Sequence, residues 1–118
     1  MTLSALAEAL SAKALHGSEE ELQQEVVTVA ASDLMSDILA RLGTPDVMLT
    51  GLATLQVVRT SAVAGIKAAV IVRGKPVEER LVELAREEDI VLMSTDLSLF
   101  EASGRLYAAG MRSAAVRT

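Results

Sequence analysis

Apolar residues run unbroken from Ala68 to Val72, with β-branched side chains at three of the five positions, and Gly74 and Pro76 stop the run. That pattern predicts a strand buried on both faces. Amphipathic stretches flank it, Leu52 to Ala64 before and Val77 to Glu88 after. A strand between two helices is the repeating unit of a parallel α/β sheet.

The remaining elements follow from the same reading. Leu3, Leu6, Ala7 and Leu10 recur at helical spacing behind Thr2, a capping residue, and predict a short helix ending near Ser11. Lys13 to His16 reads as a short extended piece, and Glu19 to Gln24 as a solvated loop after Gly17-Ser18. Val26 to Ala31 is the first full strand. Ser32-Asp33 is placed to cap a helix over Leu34 to Leu42 with Leu34, Ile38 and Leu42 as its stripe and Met35 and Leu39 beside it. Gly43 and Pro45 then end it. Asp46 to Thr50 is the second strand, closed by Gly51. Leu55, Val58 and Ala62, with Val63 near them, give the next helix a face ending at Gly65.

Beyond Pro76, Val77, Leu81, Leu84 and Ala85 turn to the sheet, while Glu78, Glu79, Arg80, Glu83, Arg86, Glu87 and Glu88 form a solvated face. Ile90 to Met93 is the last strand. Ser98 and Glu101 have capping-box spacing ahead of a helix on Leu99, Ala102, Leu106 and Ala109, and Met111 to Thr118 is expected to fray. The expected fold is α/β, a three-layer α/β/α domain over residues 1–110 with a mainly parallel four-stranded sheet in the order 2-1-3-4, plus a tail, 111–118.

Composition narrows the function. The 118 residues suit one domain, and with aromatics at 2% the core must be aliphatic, since Phe100 and Tyr107 are the only rings. A net charge of −5 with scattered Lys and Arg gives no footprint for nucleic acid. The chain has no cysteine and a single histidine, His16, which argues against disulfides, thiol catalysis and zinc. His16 itself reads as a surface or edge residue. The opening residues lack a basic segment and no apolar run reaches the ~18 residues of a membrane span, so the expectation is a soluble cytoplasmic protein.

Candidate chemistry lies at the carboxyl ends of the predicted strands, where open parallel sheets bind ligands. Those ends are Ser32-Asp33, Thr50-Gly51, Arg73-Gly74-Lys75 and Ser94-Thr95-Asp96. One reading is a nucleotide phosphate or other anion held by Arg73, Lys75, the Thr50 and Thr95 hydroxyls and the Gly51 and Gly74 amides. The other is that Ser32, Asp33, Ser94 and Asp96 cap helices while the glycines turn the chain. Asp33 stays open between capping and binding a ribose hydroxyl or a metal. No metal site or cofactor motif is complete: Ala69 stands where a P-loop needs its first glycine and Pro76 where it needs a hydroxyl, and G-x-G-x-x-G is absent.

The succession Ala31-Ser-Asp-Leu-Met-Ser-Asp37, Ile66-Lys-Ala-Ala-Val-Ile-Val72, Ile90-Val-Leu-Met-Ser-Thr95 and Leu97-Ser-Leu-Phe-Glu-Ala-Ser-Gly-Arg-Leu-Tyr107 resembles the DRTGG domain, over roughly Leu3 to Gly110. Such domains occur as free-standing small proteins and as regulatory inserts beside CBS domains in pyrophosphatases and in some phosphotransacetylases, and they resemble the N-terminal domain of HPr kinase/phosphorylase. The resemblance implies a module for dimerisation and regulation without catalysis of its own, and no HPr-type serine kinase activity, which belongs to a separate P-loop domain. The family's Gly-Asp-Arg falls near Thr50-Gly51-Leu52 and its Thr-Gly-Gly near Val72-Arg73-Gly74, where only single glycines remain.

The function expected is thus a non-enzymatic regulatory or assembly module that forms a homodimer and meets a protein partner. The first alternative is a nucleotide or phosphate sensor at the strand ends, and the last in order is an enzyme such as an HPr-type serine kinase. A hydrophobic fraction of 51% exceeds what one small core hides, and the surplus is expected on Leu52 to Ala64 and on the Met35/Leu39 flank.

Overall fold

The structure, a computed structural model, describes residues 1–40 and 44–114. Its elements in chain order are α1 (Leu3–Ala9), β1 (Lys13–His16), α2 (Glu19–Leu22), β2 (Thr28–Ala31), α3 (Met35–Leu39), β3 (Val47–Thr50), α4 (Leu55–Ala64), β4 (Ala68–Ile71), α5 (Glu79–Glu87), β5 (Val91–Ser94), α6 (Leu99–Ala108) and β6 (Arg112–Ser113).

The α/β class is as expected, but the sheet has six strands rather than four and is mixed. Its order is β1-β5-β4-β3-β2-β6, with β1 antiparallel to β5 and the other neighbours parallel. The four expected strands therefore lie in sequential order, 1-2-3-4, and the expected 2-1-3-4 is corrected. Crossovers of one hand that always step the same way place every connecting helix on the same face. Accordingly α3, α4 and α5 pack on one face, against Met48, Ala69, Ile71 and Leu92. The opposite face, Val47, Leu49, Val70, Val91 and Met93, is covered by α1 and α6, which lie outside the crossovers. Alternate residues of each strand serve alternate layers, the period-2 consequence of the pleat.

Several local expectations need correction. The run Glu19–Gln24 holds a helical turn, because Ser18 and Glu21 form a complete capping box. At Ser98 only half the expected box forms: Ser98 Oγ accepts the Glu101 N–H at 3.1 Å, while the Glu101 carboxylate turns to Arg105 one turn on. Leu34 is the N-cap residue of α3 and is exposed, so Met35 and Ile38 carry its buried stripe. In α4 the buried face is Val57, Val58, Thr60 and Ser61, and Val63 points to solvent. The expected roles of Leu42 and Gly43 lie outside the described residues. The fold also runs on past Gly110: β6 pairs with β2, and Met111 and Ala114 are buried. The charged face of α5 is exposed as expected.

Candidate functional site

Parallel strands β2 to β5 bring their carboxyl ends to one edge of the domain, and β2, β3 and β4 are consecutive neighbours there. Asp33 follows β2 but caps no helix; the Leu34 N–H is taken by the Ser32 hydroxyl at 2.9 Å. The Asp33 carboxylate instead crosses the end of β3. Its Oδ1 accepts the Gly51 N–H at 2.7 Å and the Thr50 hydroxyl at 3.3 Å, and its Oδ2 meets the Arg73 guanidinium, from the end of β4, at 2.9 Å. The guanidinium lies over Gly51 so closely that any β-carbon there would collide with it. The Gly51 amide above all, then Arg73 and the Thr50 hydroxyl, hold the Asp33 carboxyl below the usual carboxylate range against the effect of partial burial.

Arg73 occupies the left-handed region, at φ +67°, beside Gly74 at φ +63°. Two backbone bonds pin this turn, from the Arg73 N–H to the Leu97 carbonyl at 2.7 Å and from the Gly74 N–H to the Thr95 carbonyl at 3.0 Å. The Gly74 amide is thus engaged within the fold. So is the buried Thr95 hydroxyl, which donates to the Leu10 carbonyl at 2.7 Å and ties α1 to the sheet. Ser94 stands opposite Lys13 of β1, and Lys75 is exposed in the loop after Gly74. Of the residues singled out in the sequence, Asp33, Thr50, Gly51 and Arg73 converge, Ser32 shapes the turn beside them, and Gly74 and Thr95 brace the backbone. Among the described residues no group of three or more His, Asp or Glu gathers to hold a metal ion. His16 lies on edge strand β1 with its Nε2 buried and unpartnered among the described residues.

A second feature was not expected. An open groove of about 760 Å³ runs between α6 and the β2–β6 edge, lined by Ala31, Phe100, Gly104, Tyr107, Met111 and Arg112 among others. Phe100 is 86% exposed and Tyr107 69%, with the Arg112 guanidinium 5.2 Å from the Tyr107 ring centre. A signal for it was present in the sequence: the only two rings stand seven residues apart, on one face of a helix.

The domain thus carries a polar cluster at its strand ends and an exposed groove beside α6. Residues 5–109 match the DRTGG domain family, and the chain belongs to that family. Among solved structures it is similar to the CBS and DRTGG domains of the regulatory region of Clostridium perfringens pyrophosphatase, crystallised with the activator diadenosine tetraphosphate. The TM-score is 0.70 at 17% identity, over 89% of this chain and 45% of that one. The chain thus spans less than half of that regulatory region. Comparison with curated proteins finds no match.

Proposed function

We propose that this chain is a non-catalytic regulatory module that acts through self-association, with the α6 face as its interface. The observation that carries this reading is the exposure of both aromatic rings beside an apolar groove. Contiguous apolar patches rimmed by polar residues mark interaction surfaces, and aromatic residues are enriched at interface centres. Knob and groove lie on the same patch, so two copies related by a two-fold axis can each seat Phe100 in the other's groove. Of the two stretches expected from sequence, Leu52 to Ala64 is less suited, since Val57 is fully buried within the monomer core, and on the Met35/Leu39 flank Met35 is buried while Leu39 is exposed.

Sedimentation equilibrium at micromolar concentration tests this. A dimer is expected for the native chain and a monomer for Phe100→Asp, which touches an exposed side chain and leaves the core alone. A single native species at 12.4 kDa overturns the reading, and a dimer that survives Phe100→Asp moves the interface elsewhere.

A second reading, sensing of a nucleotide or phosphate at the strand ends, is favoured by the Asp33–Arg73 cluster, whose two side chains are 42% and 43% exposed. The nucleotide activator bound to the pyrophosphatase regulatory region makes that ligand class the first to try. Thermal shift against nucleotides and phosphates, repeated with Arg73→Ala, checks it; a shift indifferent to Arg73 counts against it.

A further inference from the structure

We infer that the strand-end cluster is an anion-binding cradle already filled by the protein's own Asp33, and that a phosphate-class anion binds there by displacing this carboxylate. The inference rests on the ligand-sensing reading above and adds the internal competitor.

The cradle is made of donors alone. A backbone N–H from Gly51, a hydroxyl from Thr50 and a guanidinium from Arg73 converge from the ends of two adjacent strands. This is the set that recognises phosphate oxygens, with a fork-shaped cation for charge and geometry and neutral donors for the remaining oxygen. What they hold is a carboxylate whose two oxygens are both bound, one by the backbone and hydroxyl, the other by the guanidinium. Two oxygens of a phosphate can meet the same donors.

Asp33 is also placed to leave. Its neighbour Ser32 makes the turn into α3 with its own hydroxyl, so the local turn does not depend on the carboxylate. The half-exposed rim formed by Asp33 and Arg73 gives solvent access to the pair. The backbone of the cradle, by contrast, is fixed: the Arg73 turn is pinned by the Leu97 and Thr95 carbonyls, and Thr50 and Gly51 are buried. A solvent-reachable carboxylate held by donors on a pinned backbone is the arrangement in which an external anion competes for those donors and the carboxylate gives way. Ligand binding then frees the segment between β2 and α3.

The test uses inorganic phosphate as the probe, at constant ionic strength, with melting temperature followed against phosphate concentration for the native chain, Asp33→Ala, Arg73→Ala and the double variant. Emptying the cradle with Asp33→Ala is expected to tighten phosphate binding at least tenfold, and adding Arg73→Ala is expected to abolish that gain. If Asp33→Ala does not fold, Asp33→Asn removes the charge at nearly constant volume and is expected to move affinity the same way. Equal affinity in the native chain and Asp33→Ala, lost in both with Arg73→Ala, overturns the internal competitor and leaves the anion site standing. No Arg73-dependent binding in any variant overturns both.

Discussion

The Asp33 carboxylate and the Arg73 guanidinium meet 2.9 Å apart above Gly51, joining the ends of β2 and β4 across the strand that separates them. The bridge contributes little stability. An exposed ion pair is worth about 0–1 kcal/mol, while a non-glycine residue in the left-handed region costs about 1–2 kcal/mol. The two terms leave Arg73 neutral or unfavourable, so its identity is not explained by folding.

A pair of substitutions separates the terms. Arg73→Gly relieves the backbone cost and loses the pair, so its stability is expected to stay within about 1 kcal/mol of the native chain, on either side. Arg73→Ala keeps the cost and loses the pair, and is expected to be about 1 kcal/mol less stable than Arg73→Gly. Urea unfolding of the two variants decides this; equal stabilities would remove the backbone argument.

Two glycines of the site are expected to respond differently to alanine. At Gly51 the added methyl displaces only the mobile end of Arg73, so Gly51→Ala is expected to cost under about 1 kcal/mol while breaking the Asp33–Arg73 contact. The Asp33 titration, followed by carboxyl NMR, should move up but remain below the ordinary range, because the Gly51 N–H that most lowers it is kept. At Gly74 the methyl meets Asp96 Oδ1 at 2.9 Å in a backbone at φ +63°, and Gly74→Ala is expected to cost about 1–2 kcal/mol. Reversed costs would mean that the turn at Gly74 is softer than its two backbone bonds indicate.

Much of the fold was legible where burial was strong. The unbroken run Ala68 to Val72 is fully buried and supplies the central strand Ala68–Ile71, and Thr2 capped α1 as its position implied, accepting the Ala5 N–H at 3.0 Å. The edge strands were harder to read. Lys13 to His16 gave only a hint of extension, and Arg112–Ser113 gave none, because edge pairing needs neighbouring strands more than an apolar pattern. Strand order was misread because no local feature records which strand lies beside which. The site was half legible: the strand ends follow from the rule for open sheets, but Asp33 stays open between capping and binding in the sequence, and only its reach over Gly51 to Arg73 shows what it holds.

Asp46 gives the fold a pH dependence on the opposite edge from the site. Its Oδ2 accepts the Val27 and Thr28 N–H groups at 2.7 and 3.2 Å, and Lys67 lies 3.6 Å from Oδ1. Burial opposes its charge, and the two amides with the Lys67 ammonium outweigh burial, so the carboxyl titrates below its usual range. A lowered folded-state value means a contribution complete above the unfolded value, ~4, and lost as pH falls through the folded one. Native stability is therefore expected to fall below pH ~4, with a shallower fall in Asp46→Asn. Parallel acid unfolding curves for the two proteins would show that other carboxylates control the transition.

The Thr95 hydroxyl offers the last test, because it joins α1 to the sheet through one buried bond. It donates to the Leu10 carbonyl at 2.7 Å and accepts the Leu97 N–H at 3.3 Å, while the Leu97 carbonyl in turn takes the Arg73 N–H. Thr95→Val keeps the shape and removes both bonds, leaving the Leu10 carbonyl without its hydroxyl partner at a buried site. The expected cost is about 1–3 kcal/mol. Thr95→Ser keeps the hydroxyl and loses one methyl, so it is expected to cost about 1 kcal/mol. Because the same segment braces the Arg73 turn, Thr95→Val should also raise amide exchange at Arg73 and Gly74, whereas Thr95→Ser should not. Unchanged exchange in Thr95→Val would show that the turn is held by its own backbone bonds alone, and that the α1 attachment and the strand-end site are independent.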